Sequence, residues 1–147
     1  MRLETLAEIL NRDDVRSRVM KDGAFFDKFL GFAISIYFSD HDRFVELHEL
    51  VVARLTFDEK IRVLEKLKYK KVYKSVAALP VIREVQQVRN LLAHEYYIGD
   101  DHRKFVGAKW AHLFANYPDS YAKPVKLARM RLDRLSGTKE FMKLLSE

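Results

Sequence analysis

The chain has 147 residues, with 27 Lys and Arg against 21 Asp and Glu, a net charge of +6, 48% hydrophobic and 33% charged residues. That length suits one domain with one core, and that composition excludes a disordered chain. There is no cysteine, so disulfides and thiolate-bound metals are excluded and a reducing cytosol fits.

Only 5 Gly and 3 Pro occur, with no clear run of alternating β-branched residues, which points to an all-α protein. The excess of basic residues is compatible with a polyanionic partner without establishing one. The opening stretch MRLETLAEILNRDDVRSRV has no apolar signal core, and no apolar run is long enough to span a bilayer. A cytoplasmic protein with no membrane partner is therefore expected.

Residues 3–10 read as a short amphipathic helix, 11–14 as a break or a fresh cap, and 15–20 as a further helical piece. Asp22 and Gly23 mark a boundary. Residues 24–38, AFFDKFLGFAISIYF, are apolar on nearly every side, as in the central helix of a small bundle. The aromatics Phe25, Phe26, Phe29, Phe32, Tyr37 and Phe38 suit core packing or a dimer face rather than a cofactor box. Exposure of two or three of them would argue for self-association.

After a polar break at 39–42, residues 44–55 form another helix. His48-Glu49 begins like a zinc motif, but HELVV lacks the second His of HExxH, and His41 lies between two aspartates in a solvated loop. No metal site or cofactor is expected. Thr56-Phe57-Asp58-Glu59 is a capping box that opens a helix over 57–68, with Ile61, Leu64 and Leu67 inward. Residues 66–74, KLKYKKVYK, include Lys70 and Lys71 and interleave basic side chains with tyrosines. Such a run can line a nucleic-acid groove, or it can be a solvated helix end whose lysines complement the dipole.

Pro80 starts the helix that organises the chain, over 80–97, PVIREVQQVRNLLAHEYY. Val81, Val85, Val88 and Leu92 form an apolar stripe. The opposite face carries Arg83, Gln86, Gln87, Asn90, His94 and Tyr97, with Arg89 at its edge and Ala93 leaving room for an approaching group. Lys and Glu would serve an ordinary surface as well. Arg, Asn and His instead suit an anion: Arg supplies fixed charge and forked donors, Asn another donor, and His a side chain that titrates near neutral pH. The plain alternative is a surface helix whose Arg and His do nothing.

Residues 100–117 match no clear pattern, 116–120 form a turn around Pro118, and 123–135 form an amphipathic helix with Val125, Leu127, Met130, Leu132 and Leu135 apolar. Gly137 stops it, and Thr138 caps a last short helix to 145. No internal repeat, low-complexity segment or linker divides the chain, so one domain spans 1–147.

Arg89-Asn90-Leu91-Leu92-Ala93-His94 has the form Arg-x4-His and closely resembles the signature of the HEPN superfamily, in the stricter form RNxxAH. Tyr96 extends it to Arg-x4-His-x-Tyr, as in HEPN toxins paired with nucleotidyltransferase antitoxins. The upstream layout, a hydrophobic helix and then LTFDEKIRVLEKL, is similar to mannitol-repressor-like relatives. The resemblance covers about residues 24–97. It implies a HEPN-like bundle of four to five main helices, here with short C-terminal helices added, and a homodimer whose two motifs face one cleft.

It also implies a metal-independent endoribonuclease, acting as a toxin or in defence. His94 would move a proton at the 2′-hydroxyl or the leaving oxygen, Arg89 would hold the scissile phosphate, and Asn90 would orient either. Arg83, Gln86, Lys70 and Lys71 would contact the RNA. Tyr96 would accept nucleotidyl groups from an antitoxin. A dimer would bring two histidines to one phosphate, so that base and acid are both supplied. The alternative is a non-catalytic HEPN module that regulates, or binds a protein or nucleotide.

Overall fold

Among the described residues six α-helices carry the structure: α1 Leu6–Asn11, α2 Asp13–Phe38, α3 Phe44–Leu50, α4 Phe57–Lys66, α5 Leu79–His94 and α6 Asp119–Leu135. Two 3-10 helices, Val52–Arg54 and Lys109–Phe114, join them, and there is no strand among the described residues. The computed structural model describes residues 5–39, 43–67, 78–99, 105 and 107–135. The protein is all-α, as its composition predicts. None of the described helices is long and apolar enough to cross a membrane.

The centre is α2, which packs against each of the other five α-helices, while α5 also packs on α4, α6 and the Lys109–Phe114 turn. At 26 residues α2 is about 39 Å long, enough to run the length of a small domain. Its second half is buried over the unbroken run Leu30 to Ser35, which fits a segment that is apolar all round. Phe25 stacks on Phe29 at 4.3 Å, and Phe29 meets Phe32 edge-on at 5.5 Å. The core continues through Ile61 of α4, Ile82, Val85 and Val88 of α5, and Tyr121 and Leu132 of α6. Each such side chain contributes about 1.5–3 kcal/mol by leaving water.

Local signals set the shorter elements. Thr5 and Glu8 form a capping box that starts α1, and extended Arg12 separates α1 from α2. Thr56 and Glu59 form the expected box that starts α4, with Ile61 and Leu64 buried.

Three boundaries differ from expectation. Asp22-Gly23 does not end a helix, because both residues are buried inside α2: the Asp22 carboxylate meets the Tyr121 hydroxyl and Arg129, and Gly23 lies against Arg89. The helix over 44–55 ends at Leu50 and tightens into a 3-10 turn. Finally, α6 begins at Asp119 and runs through Pro124, burying Tyr121, Val125, Ala128 and Leu132. Leu127 and Met130, expected inside, are 46% and 45% exposed. The expected last helix, over 138–145, lies outside the described residues.

Candidate functional site

Pro80 lies in the first turn of α5, where its missing N–H costs nothing. The C-terminal end has no glycine cap. Instead Arg16 of α2 donates to the carbonyls of Leu92 at 3.4 Å and Glu95 at 3.0 Å, two acceptors that the end of the helix leaves open. Asn11, the last residue of α1, both accepts from the Ile98 amide at 2.7 Å and donates to the Ile98 carbonyl at 2.8 Å. The segment after the motif is thus held by α1 and the start of α2.

The buried arc of α5 comprises Leu79, Ile82, Val85, Gln86, Val88 and Leu92. It is wider than the predicted stripe and rotated from it, because α2, α4 and α6 embrace this helix from several sides. Val81 is only partly buried, and Gln86, expected on the open face, is 6% exposed. Arg89 falls inside the buried arc rather than at the edge of the polar one. A Cβ placed on Gly23 would lie 2.9 Å from Arg89 Cδ, so the glycine makes room for the arginine stem. The guanidinium lies 5.8 Å from the centre of the Phe57 ring, and its Nε is buried without a hydrogen-bond partner.

Asn90 and His94, four residues apart and hence on one face, are both exposed, as is Ala93. Arg89 and His94 are separated by about 140° around the axis and about 7.5 Å along it. Within one protomer, therefore, Arg89 points toward the bundle and His94 away from it. Tyr96 is 98% exposed and Tyr97 65% exposed, but α5 ends at His94, so neither continues the helical face as expected.

Arg83, only partly buried, is tied to α4. It bridges Asp58 at 2.8 Å and Glu65 at 3.0 Å on α4. The Asp58 hydrogen bond, followed by that of Glu65, raises its already high pKa further. Lys70 and Lys71 lie outside the described residues. His41 does too. His48 belongs to the packing: its Nδ1 is 3.0 Å from Ser35 Oγ, and its ring lies 4.7 Å from that of Phe32. Burial, and then the charge of Lys60, lowers its pKa below the ordinary value. Of the aromatic set, Phe26 and Phe32 are buried, while Tyr37 and Phe38 are 38% and 57% exposed at the end of α2.

Sequence reasoning missed Asn11, Arg16, Gly23 and Phe57, which position the motif. None carries a short-range signal, since each acts across tens of residues; Asn11 and Ile98 are 87 apart. Asp58 and Glu65, seven apart on α4, are an acidic pair on one helix face and could have pointed to Arg83 as their partner. No family model, no curated protein and no solved structure matches the chain.

Proposed function

We propose that this helical domain is a metal-independent endoribonuclease of HEPN type that works as a homodimer, in a toxin–antitoxin or defence setting. One observation carries the reading: the motif is not neutralised by the fold. Asn90 and His94 are exposed, and Arg89 has no carboxylate partner among the described residues. An arginine whose stem is already immobilised loses less freedom on meeting a phosphate. Exposed Ala93 leaves space for a second α5 to approach across a two-fold axis.

In that arrangement one His94 accepts the proton of the ribose 2′-hydroxyl, whose oxygen attacks phosphorus. The symmetry-related His94 protonates the leaving 5′-oxygen. Arg89 offsets the charge that builds on the phosphate, and Asn90 fixes the imidazole or a phosphate oxygen. The products are a 2′,3′-cyclic phosphate and a free 5′-hydroxyl. Tyr96, almost wholly exposed, is the natural acceptor for a nucleotidyltransferase-type antitoxin.

The test is cleavage of RNA by the pure protein with chelator present, scored for cyclic-phosphate ends and for loss of activity in His94→Ala. A His94→Ala protein that cuts as fast as its parent overturns the reading.

The inward packing of Arg89 favours a second reading, a non-catalytic regulatory module. There Arg89 serves the fold, and the Asn90–His94 face binds a protein or nucleotide. A folded dimer that binds RNA or a nucleotide but leaves RNA intact selects this alternative.

A further inference from the structure

On the far side of α2 from Arg89, an open cleft of about 720 Å³ runs between α2 and α6. Asp14, Ser17, Arg18, Lys21 and Phe25 of α2 line it together with Arg129 of α6, and Asp22 lies beneath them. The α2 residues are spaced at helical intervals, so they form one continuous stripe.

Asp22 is only 5% exposed, and both of its oxygens are engaged. Oδ2 accepts from the Tyr121 hydroxyl at 2.7 Å, and Oδ1 accepts from Arg129 Nη1 at 3.2 Å. Each arginine is also braced by a ring: Arg129 lies 4.1 Å from the Phe25 centroid and Arg18 lies 5.2 Å from that of Tyr121. Arg18 Nε is 4.0 Å from Asp22, too far for a hydrogen bond. The two guanidiniums are therefore braced, while the arginine side chains remain 42% and 45% exposed.

One buried carboxylate is satisfied by one arginine and one tyrosine. Arg18 and Lys21 exceed that need. The other acid lining the cleft, Asp14, has its own partner in Arg12 at 2.8 Å. The cleft thus presents to solvent a positive excess built of braced, forked donors over a shallow floor. That is the chemistry of phosphodiester recognition, and an open channel suits an extended strand better than an enclosed small ligand.

We infer that the α2–α6 cleft binds the phosphate backbone of an RNA strand through Arg18, Lys21 and Arg129. The inference rests on the reading that RNA is the partner, but it concerns binding on the face opposite His94 and not cleavage.

The test is fluorescence anisotropy with a short labelled 2′-O-methyl RNA, which lacks the free 2′-hydroxyl needed for cleavage and so reports binding alone. Arg18→Gln/Lys21→Gln leaves the Asp22–Tyr121–Arg129 contacts in place, and Lys21→Gln alone changes one exposed side chain. The double variant is expected to bind about tenfold more weakly, with the slope of log K against log salt smaller by about 1.4, or about 0.7 for each cation lost on a single strand. Arg54→Gln, an exposed arginine on the Val52–Arg54 turn, should bind like the parent. Equal binding by parent and double variant overturns the inference, as does a parent that binds no strand. Full competition by inorganic phosphate at concentrations too low to act through ionic strength also overturns it, in favour of a small-anion site. Cleavage of unmodified RNA is scored separately. Cleavage without cleft-dependent binding removes only this inference, and cleft-dependent binding without cleavage removes only the ribonuclease reading.

Discussion

At its N-terminal end α5 carries Arg83, clamped between Asp58 and Glu65 on the neighbouring helix. At its C-terminal end it carries Arg89, without a carboxylate partner among the described residues, and the exposed His94. Both ends are polar, and both sit on a helix whose buried face, Leu79, Ile82, Val85, Val88 and Leu92, helps build the core. The difference is in what lies across from them: α4 brings two acids to the first end, while α2 brings a glycine to the second. A cation on a helix is therefore structural or available according to its tertiary neighbours, and residue type alone does not decide which.

The largest expected effect separates the two ends directly. On the ribonuclease reading, His94→Ala lowers the RNA cleavage rate by about 100-fold or more, a typical loss for a general acid or base, with an unchanged melting temperature. Next, Asn11→Ala leaves the Ile98 amide and carbonyl without their partner and should cost about 1–3 kcal/mol in chemical denaturation. Amide exchange should quicken around residues 95–98. Gly23→Ala places a methyl group against the Arg89 stem, and this crowding should cancel the gain of about 1 kcal/mol that alanine otherwise brings inside a helix. In an Arg89→Ala background the same change should be stabilising by about 1 kcal/mol, and additive effects of the two changes would refute the contact.

Arg83→Gln removes two partly exposed ion pairs and should cost about 1 kcal/mol or less, with cleavage retained. Loss of cleavage in a folded Arg83→Gln protein would erase the contrast between the two ends.

The smallest effect belongs to His48, the packed counterpart of exposed His94. Its folded pKa lies below the ordinary 6.5, so the unfolded chain takes up the proton first. Its contribution to stability is present above pH 6.5 and is lost as pH falls through the folded value. The groups acting on it are Lys60, Glu49 and Lys28, with Ser35 and Gly31 beside the ring. His48→Gln should flatten that part of the stability–pH profile.

Much of the helical layout is legible in the sequence. The capping box at Thr56 and the proline at 80 act within a few residues of themselves, and each starts the helix it predicts. The all-round apolar run after Ala24 likewise gives a helix buried without a break from Leu30 to Ser35, although Tyr37 and Phe38 emerge at its end. Reading Asp22-Gly23 as a boundary fails for the opposite reason: a buried acid is tolerated only because Tyr121 and Arg129 arrive from about a hundred residues away. Burial and Asp22 both push the Tyr121 hydroxyl far above the ordinary tyrosine range, so it remains a donor.

The candidate site is legible to the same degree. The exposure of Asn90 and His94 follows from their spacing on one helical face. The inward turn of Arg89 does not, because a buried arc shaped by three neighbouring helices is broader than any stripe of four apolar residues.

The paired bonds between Asn11 and Ile98 make the first helix part of the machinery around Tyr96, although it lies far outside the motif. A shortened chain beginning at Asp13 would keep α2 through α6 and every signature residue. It would nonetheless strip Asn11, the one side chain that meets both the amide and the carbonyl of Ile98, and leave only Arg16 to hold the backbone just past His94. Efforts to trim this protein to its signature-bearing core should therefore spare the first dozen residues, or they will study a loosened site.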